Sequence, residues 1–188
     1  RALDGADRVT VGDLSGTDVT QLNIDLRGPN GTRDGAVDTV TVNATQGADT
    51  FGVSGNAGGV TVFGLHTTTK LTGMDATDQL VLNGQGGDDT IDARGLAAGT
   101  VQLTINGGLG NDVMFGSQGN DLITGGDGND VALMGAGNDT FVWNPGDDND
   151  IVEGQAGSDT LLFNGANIAE TINIFANGGR ALFTRDVA

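Results

Sequence analysis

Aspartate returns at a fixed spacing in the middle of the sequence, which makes its carboxylates candidates for cation binding. Between Gly107 and Val142 an aspartate stands at every ninth residue, each time directly after Gly-Asn. With one earlier copy and two later ones, the set comprises Asp89, Asp112, Asp121, Asp130, Asp139, Asp150 and Asp159. Carboxylates and carbonyls are the oxygen ligands that calcium prefers. The spacing therefore predicts calcium sites, provided that the fold brings these side chains together.

The nine-residue unit consists of six turn-forming residues and three residues of alternating polarity. This pattern indicates a turn followed by a very short strand. A strand of three residues is unstable alone, so the strands must stack in parallel, coil upon coil. The eighth position is apolar in every copy and is predicted to point into the core, at Ile91, Met114, Ile123, Ala132, Phe141, Val152 and Leu161.

Two units complete one coil, so turns that are 18 residues apart lie on the same edge, about 4.8 Å from each other. Calcium lies about 2.3 to 2.6 Å from its oxygen ligands, and an ion between two stacked turns can therefore contact both. Without a cation, each neighbouring pair of carboxylates would repel by about 1 kcal/mol even at the dielectric constant of water. Glycine lets the turn backbone point its carbonyl groups inward to complete the shell.

The stacking assigns each aspartate to one of two edges. Asp89 and Asp112 are 23 residues apart, and we interpret the stretch from Arg94 to Gly99, before a strand at Val101 to Ile105, as one degenerate turn. One edge then carries Asp89, Asp112, Asp130 and Asp150, and the other carries Asp121, Asp139 and Asp159. Ions between consecutive turns of the same edge predict about five calcium ions.

The units GGLGNDVMF and GGDGNDVAL resemble the calcium-binding nonapeptide of the RTX, or hemolysin-type, repeat family. Six units from Gly107 to Leu162 and the one at Gly84 carry the resemblance, about a third of the chain. The resemblance implies a parallel β-roll, type I secretion, and calcium held by the aspartates and by turn carbonyls. The implied carbonyl positions are Gly108, Gly110, Gly119, Gly126, Gly128, Gly135, Gly137 and Gly157.

Some turns depart from the repeat pattern. Gln85, Ser117 and Gln155 replace the second glycine of their units, a change that a carbonyl ligand tolerates. Pro145 and Asp148 make the turn before Asp150 the most divergent one. Asparagine and aspartate after glycine also mark ordinary turns, but that preference does not explain the same position in every unit.

We predict an all-β parallel β-roll or β-helix solenoid with three parts: a degenerate β-helix and N-terminal cap over 1–83, the calcium-binding roll over 84–162, and a capping hairpin over 163–188. Alternating residues predict N-terminal strands at 19–26, 39–42, 60–63 and 80–82. Asp7, Asp18, Asp49 and Asp78 there are mostly interpreted as structural turn residues. The hairpin strands are predicted at 171–175 and 181–184.

The composition narrows the range of partners. The formal net charge of −17 comes almost entirely from aspartate, which argues against nucleic acid and anionic membrane as partners and for cations. Neither a disulfide nor a thiolate metal site is possible without cysteine. The repeat-like start of the sequence leads us to expect an excerpt from a longer chain with flanking modules. No apolar stretch approaches the ~20 residues that a membrane span needs.

The leading hypothesis is a non-catalytic calcium-binding module of a large secreted or cell-surface bacterial protein, which folds on calcium binding outside the cell. One alternative is an accessory module that binds extracellular polysaccharide, for which Trp143 is the obvious aromatic candidate. The other is a β-helix enzyme acting on glycans, although the periodic carboxylates lack the distinct environments of an acid and base pair. We assign no catalytic residue, and we interpret His66, the sole histidine, as structural.

Overall fold

The protein is built from short strands that alternate between two sheets. The structure, a computed structural model, describes residues 1–2, 4–177 and 180–187. These residues form 17 strands and no helix, and thus no helix that is long and apolar enough to cross a membrane. The first sheet contains, in spatial order, β1 (Arg8–Val11), β3 (Thr39–Asn43), β7 (Gln79–Gly86), β9 (Gln102–Leu109), β11 (Asp121–Asp127), β13 (Thr140–Trp143) and β15 (Thr160–Phe163).

The second sheet contains the other strands of the described residues. It contains β2 (Gln21–Asp25), β4 (Thr50–Asn56), β5 (Gly59–Phe63), β6 (Thr68–Thr72), β8 (Thr90–Leu96), β10 (Val113–Phe115), β12 (Val131–Leu133), β14 (Ile151–Glu153), β16 (Glu170–Asn177) and β17 (Arg180–Val187). All neighbours in the first sheet are parallel, as are β8, β10, β12 and β14 in the second. The predicted all-β parallel solenoid is confirmed.

The number of residues per coil falls from the N-terminal part of the chain to the repeats. Equivalent aspartates of successive coils are 40 residues apart from Asp49 to Asp89, 23 from Asp89 to Asp112, and 18 from Asp112 to Asp130. The stretch of 23 residues contains the predicted degenerate turn, but the prediction was wrong for residues 94–96, because β8 continues to Leu96 through its pairing with β4, and only residues 97–99 lie between β8 and β9. We call the longer coils before Asp89 wide and the shorter coils after it narrow. Wide coils thus precede narrow ones, as expected for a β-helix that continues into the roll.

The wide coils contain an antiparallel meander that the sequence analysis did not predict. Strand β5 pairs antiparallel with both β4 and β6, and β2 then joins β6 in parallel. The predicted strands at 19–26, 39–42, 60–63 and 80–82 overlap β2, β3, β5 and β7. Strand β4 follows a repeat-like turn at Asp49, and the turn that joins it to β5 is at Ala57-Gly58, where the Gly58 N–H donates to Oδ1 of Asn56.

The core is one layer of side chains between the two sheets. The predicted inward residues at the eighth position are buried, except that Leu161 in the last coil is only partly buried. Trp143 is completely buried and stacks on Phe163, with ring centroids 4.9 Å apart. The three-residue strands β10, β12 and β14 therefore add little apolar burial, because each contributes one inward side chain, whereas β13 buries both Phe141 and Trp143.

The chain ends in the predicted hairpin. Strands β16 and β17 pair antiparallel, and β17 also pairs antiparallel with β14, through Ile151 with Leu182 and Val152 with Ala181. The hairpin therefore covers the open edge of β14 in the second sheet. Gly178 and Gly179 of the predicted hairpin turn lie outside the described residues. The division of the chain into three domains stays a prediction.

Candidate metal centre

Two stacks of aspartates run along the two edges of the narrow coils. The first ladder consists of Asp49, Asp89, Asp112, Asp130 and Asp150, and the second of Asp121, Asp139 and Asp159. The residues that follow these aspartates pair in parallel register from coil to coil. The structure thus brings together the aspartates that the sequence analysis placed on each edge, and it adds Asp49, which we had interpreted as a turn residue.

Each aspartate is bonded to the next one along its ladder. The backbone N–H donates to Oδ1 of the aspartate one coil later, at 2.7 Å from Asp49 to Asp89, 2.8 Å from Asp89 to Asp112 and 3.0 Å from Asp130 to Asp150. In the second ladder the same bond is 2.8 Å from Asp121 and 3.1 Å from Asp139. One carboxylate oxygen of each later aspartate is therefore satisfied by the fold itself.

The other carboxylate oxygen is buried without a partner in most of the ladder. Among the described residues, Oδ2 has no hydrogen-bond partner in Asp89, Asp112, Asp130, Asp139 and Asp150, all of which are at most 1% exposed. A buried unpaired carboxylate oxygen is strongly unfavourable, since nothing replaces the water that it loses. Five such oxygens in register indicate positions that need a positive partner.

In the units that begin with glycine, this first glycine forms a cradle for Oδ2 of the aspartate. A Cβ on Gly107 would collide with Oδ2 of Asp112 and would lie 2.5 Å from the carbonyl oxygen of Gly125, one coil later. Gly84 stands in the same relation to Asp89 and to the carbonyl oxygen of Gly107. A carboxylate oxygen and a carbonyl oxygen from successive coils thus lie against the same glycine. A donor set of oxygens alone fits calcium.

The second and fourth residues of the regular turns have left-handed backbone conformations. In the turn before Asp130, Gly126 has a φ of 106° and Gly128 a φ of 141°, and a Cβ on either would collide with a carbonyl group of the preceding coil. The same conformation occurs at the other predicted carbonyl positions Gly108, Gly110, Gly135, Gly137 and Gly157, and at Gln85 and Gln155. The two glutamines therefore adopt the glycine conformation, which non-glycine residues adopt only at a cost.

The turns before Asp121 and Asp150 differ from this pattern. Ser117 and Gly119, at the second and fourth positions before Asp121, are absent from the positive-φ residues of the described chain. In the turn before Asp150, Gly146 has a φ of 115°, but Asp148, at the fourth position, does not have a positive φ. Asp147 is buried there, and its Oδ2 accepts a hydrogen bond from the Asn144 N–H at 2.7 Å. This turn thus adds a second buried carboxylate.

Burial of the ladder opposes ionisation of its carboxyl groups. It raises the pKa of Asp130 to about 8, and the charges of Asp150 and Asp112 add to the effect. Burial likewise raises the pKa of Asp121 and Asp150 to about 7 and of Asp89 and Asp139 to about 6. The pKa of Asp112 is raised for the same reason. The ladder is therefore a place where positive charge would be strongly favoured.

The asparagines at the fifth position form ladders of their own, which the sequence analysis missed. The Asn129 N–H donates to Oδ1 of Asn111 at 3.0 Å, and the Asn138 N–H donates to Oδ1 of Asn120 at 2.8 Å. These bonds run from the later coil to the earlier one, opposite to the aspartate bonds. Neighbouring coils are thus linked in both directions, which accounts for asparagine at a fixed position.

Trp143 and His66 lie away from the ladders. The buried indole of Trp143 donates to the Asp148 carbonyl oxygen at 3.3 Å, and its ring faces Phe163. It is therefore a core residue, and it does not provide the exposed face on which a sugar would stack. His66 Nε2 lies 3.0 Å from the Thr17 carbonyl oxygen and is exposed.

Side chains alone do not form a metal cluster here. Within the part of the chain that the structure describes, no group of three or more His, Cys, Asp or Glu side chains is placed to hold a metal ion. This result agrees with the ladder geometry, in which each position offers one or two carboxylates and the remaining donors are backbone carbonyl groups. The assignment of individual residues as ligands stays a prediction.

Comparisons with known proteins match the part of the chain that carries the ladders. The RTX calcium-binding nonapeptide repeat matches residues 81–95, 104–141 and 146–167, in four copies. These ranges contain all seven aspartates of the predicted set and exclude Asp49. The chain has no match among curated protein sequences.

Proposed function

We propose that the chain is a secreted module that folds when calcium binds outside the cell, and the proposal proceeds from the match of residues 81–95, 104–141 and 146–167 to the RTX calcium-binding nonapeptide repeat. The chain carries a calcium-binding β-roll, and repeats of this family occur in secreted bacterial proteins. The proposal adds that the roll is non-catalytic and that its formation depends on the ion.

One observation carries the proposal, namely the unpartnered Oδ2 atoms in consecutive coils. Asp89, Asp112 and Asp130 each bury this oxygen beside the first glycine of their own turn. A folded coil without a cation would therefore keep several buried carboxylate oxygens unsatisfied, at a cost of about 1 to 3 kcal/mol each. The three-residue strands that follow the first ladder bury little apolar surface to offset this cost, so cation binding and coil formation are coupled.

The residues that would hold calcium follow from these contacts. Asp89, Asp112, Asp130, Asp139, Asp150 and Asp159 would provide carboxylate oxygens, and the second and fourth residues of the left-handed turns would provide carbonyl oxygens. Five pairs of stacked aspartates lie within the repeats, which supports about five ions. One of these pairs includes Asp121, whose turn lacks the left-handed backbone at its second and fourth residues.

The charge and the affinity range suit a protein that meets calcium outside the cell. About five bound ions would supply roughly ten positive charges against the net charge of −17. Extracellular calcium modules have dissociation constants on the order of 10⁻⁴ to 10⁻³ M. In that range the module stays unfolded at cytosolic calcium concentrations and folds outside, because binding energy becomes folding energy.

Circular dichroism and Trp143 fluorescence during a calcium titration test the proposal. Trp143 is buried against Phe163, so its emission should shift to shorter wavelength as the last coils form. We expect a cooperative gain of β structure with calcium and a much weaker response to magnesium, which requires a smaller octahedral shell. Asp130→Ala should move the calcium midpoint upward. A spectrum that is the same in chelator and in excess calcium would contradict the proposal.

A further inference from the structure

Two turns of the molecule share a short sequence that the repeat pattern does not contain. Thr45-Gln-Gly-Ala-Asp49 precedes β4, and Ser117-Gln-Gly-Asn-Asp121 precedes β11. Both have Ser or Thr at the second position of the unit, where the repeat has glycine. Both also keep Gln at the third position, Gly at the fourth and Asp at the sixth.

The hydroxyl residue closes the turn onto its own aspartate. The Ser117 N–H donates to Oδ2 of Asp121 at 2.5 Å, and the Ser117 hydroxyl donates to Oδ1 at 2.7 Å. The Thr45 N–H and hydroxyl both donate to Oδ2 of Asp49, at 2.8 and 2.7 Å. In each turn the glycine two residues later donates its N–H back to the hydroxyl oxygen, at 3.0 Å for Gly119 and 3.1 Å for Gly47.

The closed turn before Asp121 lacks two features of the open turns, which are those without such a hydroxyl residue, although Gly116 still lies against Oδ2 of Asp121 and the carbonyl oxygen of Met134. Asp121 is 4% exposed, yet neither of its carboxylate oxygens is among the buried unpartnered atoms, in contrast to Asp89, Asp112 and Asp130. Ser117 and Gly119 also lack the left-handed backbone of Gly126 and Gly128. The N–H and the O–H of Ser117 thus donate to both carboxylate oxygens of Asp121, whereas in an open turn one carboxylate oxygen has no donor.

Both closed turns stand at the beginning of a ladder. Strand β4, which follows Asp49, has β8 as its parallel neighbour and the antiparallel β5 on its other side. Before Asp121 the preceding coil has the turn at Ala97 to Thr100, which contains no carboxylate. Each closed aspartate then donates its N–H to the first open one, Asp49 to Asp89 and Asp121 to Asp139.

We call each turn together with its aspartate a rung of its ladder. We infer that the turns at Thr45–Asp49 and Ser117–Asp121 are first rungs that form without a metal ion, because a hydroxyl residue takes the place of the cation. The calcium-dependent rungs of each ladder then stack on this first rung. The inference rests on the proposed function, because it distinguishes rungs within a calcium-binding roll. It implies that Asp121 contributes no ion site of its own, so that four of the five stacked pairs in the repeats remain for calcium.

The number of calcium ions bound per chain at saturation tests the inference. Ser117→Gly restores the repeat glycine, which can adopt the left-handed conformation of the open turns, and removes the hydroxyl donor to Oδ1 of Asp121, so it should raise the number of ions by one. Gln155→Gly is the matched control, because it places glycine at the same position of a turn that already has a φ of 68°, and it should leave the number unchanged. An unchanged number in Ser117→Gly, with Gln155→Gly also unchanged, would overturn the inference.

A second pair of variants keeps the test independent of backbone changes. Asp121→Asn retains an oxygen acceptor for Ser117 and should bind as many ions as the unaltered chain. Asp139→Asn, at the next rung of the same ladder, should bind at least one ion fewer. Loss of an ion in Asp121→Asn would overturn the inference even if Ser117→Gly failed to fold. An unaltered chain that binds no calcium would instead refute the proposed function.

Discussion

The wide coils before Asp89 and the narrow coils after it contain the same aspartate stack but satisfy it differently. In the wide coils the Asp38 N–H donates to Oδ1 of Asp78 at 2.9 Å, and Oδ2 of Asp78 accepts the Asp75 N–H at 2.5 Å. In the narrow coils the corresponding Oδ2 of Asp112 or Asp130 has no partner among the described residues. Stacked aspartate is therefore a structural device in itself. Unpartnered oxygens in successive narrow coils mark where cations are needed, whereas in the described wide coils before Asp89 only Oδ2 of Asp7 is buried without a partner among the aspartates.

The two regions also differ in what holds a coil together. Strands β3 and β7 of the wide coils each place two fully buried side chains in the core, Val40 and Val42, and Leu80 and Leu82. The three-residue strands β10 and β12 each place one, Met114 and Ala132. At about 25 cal/mol per Å² of buried apolar surface, β3 and β7 are stabilised by the core to a larger extent than β10 and β12.

Removal of calcium should therefore separate the two regions, and this is the largest effect we expect. In chelator, amide hydrogens of residues 84–162 should lose protection by about 100-fold or more, which corresponds to ~2.7 kcal/mol of lost ligand stabilisation. Residues 39–83 should retain most of theirs. Hydrogen exchange measured by mass spectrometry checks this prediction. Equal loss in both regions would mean that the wide coils depend on the ion as well.

A pair of conservative variants sharpens the same comparison. Asp130→Asn and Asp38→Asn both change a buried aspartate that accepts an N–H from the preceding coil, at 2.8 Å in each case. We expect Asp130→Asn to raise the calcium midpoint of the Trp143 fluorescence change about tenfold, equivalent to about 1.4 kcal/mol. Asp38→Asn should leave the midpoint within about twofold, because Oδ2 of Asp38 itself is not among the buried unpartnered oxygens of the described residues. Equal shifts in the two variants would remove the distinction between the stacks.

How far the sequence predicts these differences depends on the range of the interactions. The nine-residue period is sufficient to predict the two edges, the inward residues and the parallel stack, because each follows from one repeated local geometry. Asn129 lies at a fixed position of the repeat, yet its hydrogen bond to Asn111 can be predicted only when the spacing between coils is known. The closure of Asp121 by Ser117 depends on backbone angles that a single serine does not reveal.

The pH dependence of the calcium-free protein provides a third test. Burial raises the pKa of Asp130 to about 8 and of Asp89 to about 6, above the ordinary value of 3.8. Protonation therefore favours the folded coils: the stabilisation is complete below about pH 4 and is lost as the pH rises through about 6 to 8. Circular dichroism of calcium-free protein should show more β structure at pH 5 than at pH 8.5. With saturating calcium the trend should reverse, because protons then compete with the ion.

Substitution in the fifth-position ladder should give the smallest effect. Asn129 accepts the Asn149 N–H at 3.3 Å and donates its own N–H to Asn111, at the exposed edge of the first ladder. Asn129→Ala removes the acceptor but no buried carboxylate, so we expect a loss of about 0.5 to 1.5 kcal/mol in urea unfolding at saturating calcium. The number of bound ions should stay the same. A lost ion would mean that the asparagine ladder positions the cation-binding turns, and that the two opposed ladders act as one unit.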